Sequence, residues 1–418
     1  MEIAVIACAQ QRLRLHESLE DYRRDCVRFL RMAQSKGASL VVFPELSGLM
    51  AAAPRLPGVR ARLLRQADQG RQRGASLWRR ARARVASSTA EILGADFRAE
   101  LTRYLAENGN ALRQELEKFY AELARNYGMT VLVGMGYLPG AGAGQRALAM
   151  AFSAQGERLG EMERVGVLAS EGSLIEPGAG WGLIQTSVGR VGVLLGPDVL
   201  YPEAARLLAY RGADLLVIMA ATSDAALAAR IRLCAAARAQ ENQLVVLVSF
   251  LIGNNPLHSD HAPFTGRSAI FAPAELTSGY SGVLVEMGTA AAEGLITAEV
   301  NPYALRKLWD EGEASPRRGL PLTLAGQLLA ADYTLGRTVE EAWQGVEAAR
   351  AQTLLLPQPT TPAALADMEL APPAVSVESL EETEEGELEE ATPADDADAQ
   401  PPTGDERTPE EVATAEQD

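Results

Sequence analysis

The sequence predicts an α/β protein, built as a sandwich of mixed sheets. Short apolar runs alternate with segments whose apolar residues recur at helical spacing. β-rich hairpins lie between the strand–helix–strand units, so the sheets are mixed rather than wholly parallel. One apolar run ends in Pro44-Glu45, a carboxylate at a strand's C-terminal end. In α/β folds that end is where ligands bind.

Residues 3–9, IAVIACA, suit a buried strand. Residues 17–35 place Leu19, Tyr22, Cys26, Phe29, Leu30 and Ala33 on one helical face, and Gly37 stops the helix. Leu40–Phe43 is a second buried strand. Residues 51–110 are Arg-rich and helix-prone, interrupted by Gly58, Gly70 and Gly74. A better helix spans 111–127, with Leu112, Leu116, Phe119, Tyr120 and Leu123 as its stripe, and Gly128 ends it. Met129–Gly134 is the next strand, and 146–165 read as a hairpin around Gly156. Residues 190–196 form a strand followed by Pro197-Asp198. A helix then runs from Pro202 to about Arg211, with Pro in its first turn and Gly212 beyond its end. Asp214–Met219 is a strand, 225–242 a helix and Leu244–Phe250 a strand, with further strand pieces in 267–272 and 282–300. A last helix is expected around 338–352. Residues 357–418 carry no aromatic side chain and are rich in Pro, Glu, Asp, Ala and Thr, so they are expected to be disordered.

The 418 residues are 47 % apolar, enough for a full-sized core. No apolar run reaches the length of about 18 residues that a membrane-spanning helix needs. The start, MEIAVIACAQ, has no basic stretch ahead of an apolar one, which points to a cytoplasmic chain. The net charge of −16 is uneven. The stretch from Pro357 onward holds 19 acids and one base, so the first 356 residues sum to +2. Between Arg55 and Arg84 stand ten arginines and one acid, Asp68. Opposite blocks on one chain suggest different partners or each other. The three cysteines, Cys8, Cys26 and Cys234, are far apart and read as reduced structural thiols. The three histidines, His16, His258 and His261, have no metal-ligand spacing with them, and neither a metal nor a cofactor is expected.

The segments VVFPEL (41–46), RVGVLLGPDVLYPEAARLLAYRGADLLV (190–217) and AARAQENQLVVLVSF (236–250), with GRSAIFAP (266–273) and EGLITAEV (293–300), resemble the carbon–nitrogen hydrolase (nitrilase/amidase) superfamily. The resemblance covers residues 1 to about 305, apart from most of 52–110. It implies an αββα sandwich that pairs into homo-oligomers. It also implies a Glu–Lys–Cys triad that cleaves non-peptide C–N bonds. In such a triad an activated thiol attacks the carbon, and a cation sits where negative charge develops.

Only one of those three residues is kept. Glu45 stands at the general-base position. Arg164 stands at the lysine position and Gly196 at the cysteine position. The flanks Arg190, Gly192, Asp198, Pro202 and Glu203 fit well, so a shift of register to reach a cysteine is excluded. Glycine has no nucleophile, and arginine holds an anion but does not exchange protons near neutrality. A Glu45–Arg164 pair would resolve the charge left by the missing thiol. Glu171, Asp198 and Glu241 are further expected pocket acids, Glu241 as a buried carboxylate hydrogen-bonded to loops. The expected protein is therefore a non-catalytic member used as a binding or scaffold subunit, with a small amide or carboxylate as its ligand. The alternative is an amidohydrolase that works without a nucleophile, through water activated by Glu45.

The expected organisation is a hydrolase-like domain over 1–310, with an Arg-rich helical insertion at about 52–110. A helical extension over 311–356 and the acidic tail over 357–418 follow. LWRRARARV (77–85) reads most plainly as a solvated basic segment. Docking of the acidic tail on the 55–84 block is the next reading. Contact with anionic lipid or with a nucleic-acid backbone ranks behind it.

Overall fold

The computed structural model describes residues 3–56, 97–140, 144–169, 171, 174–257, 262–313, 315 and a few positions up to 333. All of them belong to the unit Met1–Leu335. The 57–84 arginines, His258, His261, the 338–352 helix and the acidic tail lie outside the described residues.

The chain opens with β1 (Ala4–Arg12), α1 (Leu19–Ser35) and β2 (Ala38–Val42). Ser18 caps α1 by accepting the Asp21 N–H, and Tyr22, Cys26, Phe29, Leu30 and Ala33 are its buried face. The next helix, α2 (Phe97–Tyr127), begins well before the expected residue 111. The sequence breaks at Asn108-Gly109-Asn110, yet the helix runs straight through. Gly109 is required there by contact, since a Cβ on it would stand 2.8 Å from Pro139 Cδ. Residues 97–110 therefore continue the helix that packs on the sheet.

β3 (Thr130–Pro139), β4 (Gln145–Phe152) and β5 (Arg158–Glu163) follow, β4 and β5 forming the expected hairpin. β6 (Leu183–Thr186) pairs antiparallel with β7 (Gly189–Leu195). Then come α3 (Pro202–Tyr210), β8 (Leu215–Ala220), α4 (Ala225–Asn242) and β9 (Val245–Ile252). β10 (Ala269–Phe271), β11 (Val283–Glu286), β12 (Gly294–Val300) and α5 (Pro302–Glu311) complete the described elements.

The strands form two sheets of like order. One runs β12-β1-β2-β3-β4-β5, the other β11-β10-β9-β8-β7-β6. They join where Gln11 and Arg12 of β1 pair in parallel with Leu251 and Ile252 of β9. β1, β2 and β3 are mutually parallel, as are β7, β8 and β9. Alternation along β1 shows the layering. Ala7 and Ala9 pack with Tyr22, Phe29, Leu116 and Tyr120 of α1 and α2. Ile6 and Cys8 pack with Val193, Val217 and Leu247 of the other sheet. Beyond that sheet, Leu194, Ile218 and Val246 pack against Ala205, Leu208 and Ala235 of α3 and α4. The result is the expected αββα sandwich.

Candidate functional site

Parallel pairing sends the C-terminal ends of β2, β7 and β8 in one direction, and the loops that follow them meet. Glu45 leaves the end of β2 and is only 2 % exposed. β7 ends at Leu195, and the next turn, Gly196–Leu200, opens with Gly196 at φ +49°. Arg164 follows β5 directly. Its N–H donates to Ala147 O at 2.9 Å, and its carbonyl accepts the Gly178 N–H at 2.7 Å. Asp198 pins the same segment, since its carboxylate accepts the N–H groups of Val165 and Gly166.

Arg164 is the centre of the cluster. Nη1 donates to Glu45 Oε1 at 2.9 Å, and Nη2 donates to Glu171 Oε2. Tyr137 OH donates to Glu171 Oε1 at 3.1 Å. Burial pushes the Glu45 carboxyl up to about 7, against the pull of Arg164 and with the push of Glu171 and Asp198. Its Oε2 is buried without a hydrogen bond. One cation beside two carboxylates leaves an excess negative charge, and a proton on Glu45 neutralises it. Burial works against the Arg164 charge, yet the fields of Glu45 and Glu171 more than offset it and raise its pKa. Burial likewise raises Asp198 despite its two backbone donors.

Gly196 faces this cluster. A Cβ at that position would lie 3.0 Å from Glu45 Oε2 and 3.4 Å from Arg164 Nη1. Glu45, Arg164 and Gly196, the three positions the family resemblance singled out, thus converge, and carboxylate and guanidinium stand where a side chain at residue 196 would project. The cysteines lie elsewhere. Cys8 is between the sheets, its thiol donating to Val248 O and pushed up to about 12 by burial. Cys26 is buried on α1, and Cys234 is on α4.

Of the further acids, Glu171 does join the cluster and also lines an open cavity of about 450 Å³. Asp198 does not line that cavity and acts as a backbone anchor instead. Glu241 corrects the expectation of a buried carboxylate. Its side chain is 42 % exposed and pairs with Arg238 at 2.8 Å. The register of α4 turns Arg238 and Asn242 inward instead. Arg238 supplies the loop hydrogen bonds expected of Glu241, to Val199 O at 3.2 Å and Leu200 O at 3.4 Å. Tyr137 and Arg98, both lining the cavity, were not singled out by the sequence. Among the described residues, no group of three His, Cys, Asp or Glu side chains is placed to hold a metal. Among them, no helix is long and apolar enough to cross a membrane.

Residues 2–308 match the carbon-nitrogen hydrolase family. The chain belongs to that family. As a carbon–nitrogen hydrolase family member it shares its fold with a carbon-nitrogen hydrolase from Helicobacter pylori G27. That likeness has a TM-score of 0.56 at 18 % identity and covers 78 % of this chain and 98 % of the other. A mutant of the Nesterenkonia AN1 amidase from the nitrilase superfamily gives a TM-score of 0.52 at 18 % identity, covering 78 % and 97 %. Nit3 of Saccharomyces cerevisiae gives 0.51 at 18 % identity, covering 76 % and 97 %. Likeness at such identity shows the fold alone. A probable hydrolase of Bacillus subtilis strain 168, YhcX, is 28 % identical over 130 residues. That match spans 31 % of this chain and only a quarter (25 %) of YhcX.

Proposed function

We propose that this chain is a non-catalytic member of the carbon–nitrogen hydrolase family, serving as a binding or scaffold subunit. The observation that carries this reading is the occupancy of the space before Gly196. Arg164 fills it, tied to Glu45 and Glu171, and no thiol or hydroxyl is carried at residue 196. Removing the nucleophile of a catalytic unit removes its covalent route, because members of such a unit act together. Pairing of two copies through the outer helices, and residence in the cytoplasm, are part of the same proposal.

A second reading has one observation in its favour. Glu45 has an unpartnered buried oxygen and a carboxyl raised to about 7, which suits a general base. Against it, Glu45 already engages the Arg164 guanidinium at 2.9 Å, and residue 196 carries no nucleophile.

The test is to restore the missing chemistry. Wild-type protein and a Gly196→Cys/Arg164→Lys variant are incubated with small amides, and acyl adducts are sought by intact mass. The proposal expects an adduct on the variant alone. Amide turnover by the wild type, abolished in Glu45→Ala, would establish the second reading instead.

A further inference from the structure

The cavity beside Glu171 has a mainly apolar wall, given by Leu46, Leu168, Leu174, Leu227, Leu257 and Phe264. Its volume of about 450 Å³ falls within the ordinary range for small-molecule sites. Glu45, Arg164 and Gly196 are not among its lining residues, so a molecule held there lies to one side of the triad positions.

The charges of the described wall are already engaged. Glu171 accepts from Arg164 and Tyr137. Asp224 is exposed and caps α4, its Oδ1 accepting the N–H groups of Ala226 at 2.8 Å and Leu227 at 3.2 Å. Arg98 is the one cation among the described lining residues, and it has an interaction of its own within the protein. Counting Arg164 behind Glu171, two guanidinium groups stand against two carboxylates, and the described wall is formally neutral. An ion entering it sheds water without gaining a free counter-charge, which is costly for either sign.

What this wall has left to give is uncharged. Thr222 Oγ1 accepts the Asp224 N–H at 3.1 Å, and Ser223 Oγ accepts Asn255 Nδ2 at 2.6 Å. Each hydroxyl therefore keeps its own proton to donate. Thr222 is only 8 % exposed, so its donor has little water to turn to. An acceptor oxygen on an uncharged molecule satisfies that donor without the cost of stripping water from an ion.

We propose that this cavity binds an uncharged ketone or alcohol with an apolar body, its oxygen accepting from the hydroxyls of Thr222 and Ser223. The inference rests on reading the chain as a binding rather than a catalytic member, and it assigns that member a ligand class.

The test is isothermal titration of the full chain at about pH 6, below the value of about 7 that Glu45 holds. Three probes share one body: 5-phenyl-2-pentanone, 4-phenylbutyrate and 4-phenylbutylamine, the last two charged at that pH. The ketone is expected to bind at least about tenfold more tightly than either ion. Thr222→Val/Ser223→Ala should weaken the ketone by about threefold or more, as loss of a neutral hydrogen bond would. Leu227→Trp, which fills the apolar wall, should abolish binding with an unchanged circular dichroism spectrum. A preference for the carboxylate or the amine overturns the proposal, as does equal binding of the three probes. Ketone binding indifferent to Thr222→Val/Ser223→Ala, or absent at about 1 mM, overturns it too. Ammonia released from 4-phenylbutyramide would instead overturn the non-catalytic reading and leave the order of affinities intact, so the two failures are distinct.

Discussion

Arg164 and Glu45, 119 residues apart in the chain, meet at 2.9 Å with both side chains only 2 % exposed. The planar guanidinium explains how one cation serves two carboxylates. Its fork sends Nη1 to Glu45 and Nη2 to Glu171, which the compact point charge of a lysine ammonium matches less well. The same group packs toward Gly196, whose missing side chain makes the room. The absence of a side chain at residue 196 and the bulk of the Arg164 guanidinium thus form one packing solution.

Breaking that cluster should be costly. Arg164→Met leaves Glu45 and Glu171 without their shared cation, and removal of one partner from a buried ion pair costs about 3–5 kcal/mol. Arg164→Lys should cost less, because the charge stays and only the fork is lost. Urea unfolding of the two variants measures the difference. A loss under about 1 kcal/mol in Arg164→Met would contradict the assigned role.

The raised Glu45 carboxyl sets a pH dependence. Its ordinary value is 4.5 and the folded value about 7, so between those limits the folded state holds a proton that the unfolded state has released. Stability contributed by this group is full below pH 4.5 and declines as pH rises through 7. The expected decline is on the order of 1–3 kcal/mol. Glu45→Gln, which carries its hydrogens at every pH, should flatten it. A wild-type curve that rises over the same window while Glu45→Gln does not would contradict the assignment.

Gly196 is held in the left-handed region at φ +49°, where a side chain costs roughly 1–2 kcal/mol. Gly196→Ala adds a methyl at 3.0 Å from Glu45 Oε2. It should destabilise by about that amount or more, and shortening Arg164 should relieve only the looser 3.4 Å approach to its Nη1. A double-mutant cycle of Gly196→Ala with Arg164→Lys measures the coupling.

Asp198 holds the backbone that carries Arg164. Asp198→Ala orphans the N–H groups of Val165 and Gly166, at a cost of about 1–3 kcal/mol. Hydrogen exchange at those two amides should accelerate more than at the β7 amides. Uniform acceleration would place its role elsewhere.

Much of this arrangement is legible in the sequence because the residues carry physical demands. The apolar stripe of α1 has one face to bury, and the family resemblance placed Arg164 opposite the carboxylate at the end of β2, so the Glu45–Arg164 pair could be expected. Other parts depend on register. Glu241 and Arg238 stand three residues apart on α4, and only their packing shows that Arg238 turns inward. Tyr137 escapes notice because Gly134 and Gly136 seem to end β3, whereas the strand continues past a bulge between them. Arg98 is hidden by composition, one arginine among the 36 that the chain carries.

The central claim is that the residues at the old triad positions hold one another rather than a reacting substrate. Ammonia release from a panel of short amides and nitriles, by purified wild-type protein beside Glu45→Gln, tests it most directly. The expected result is no release above the buffer rate and no difference between the two proteins. Release by the wild type that disappears in Glu45→Gln would contradict the account.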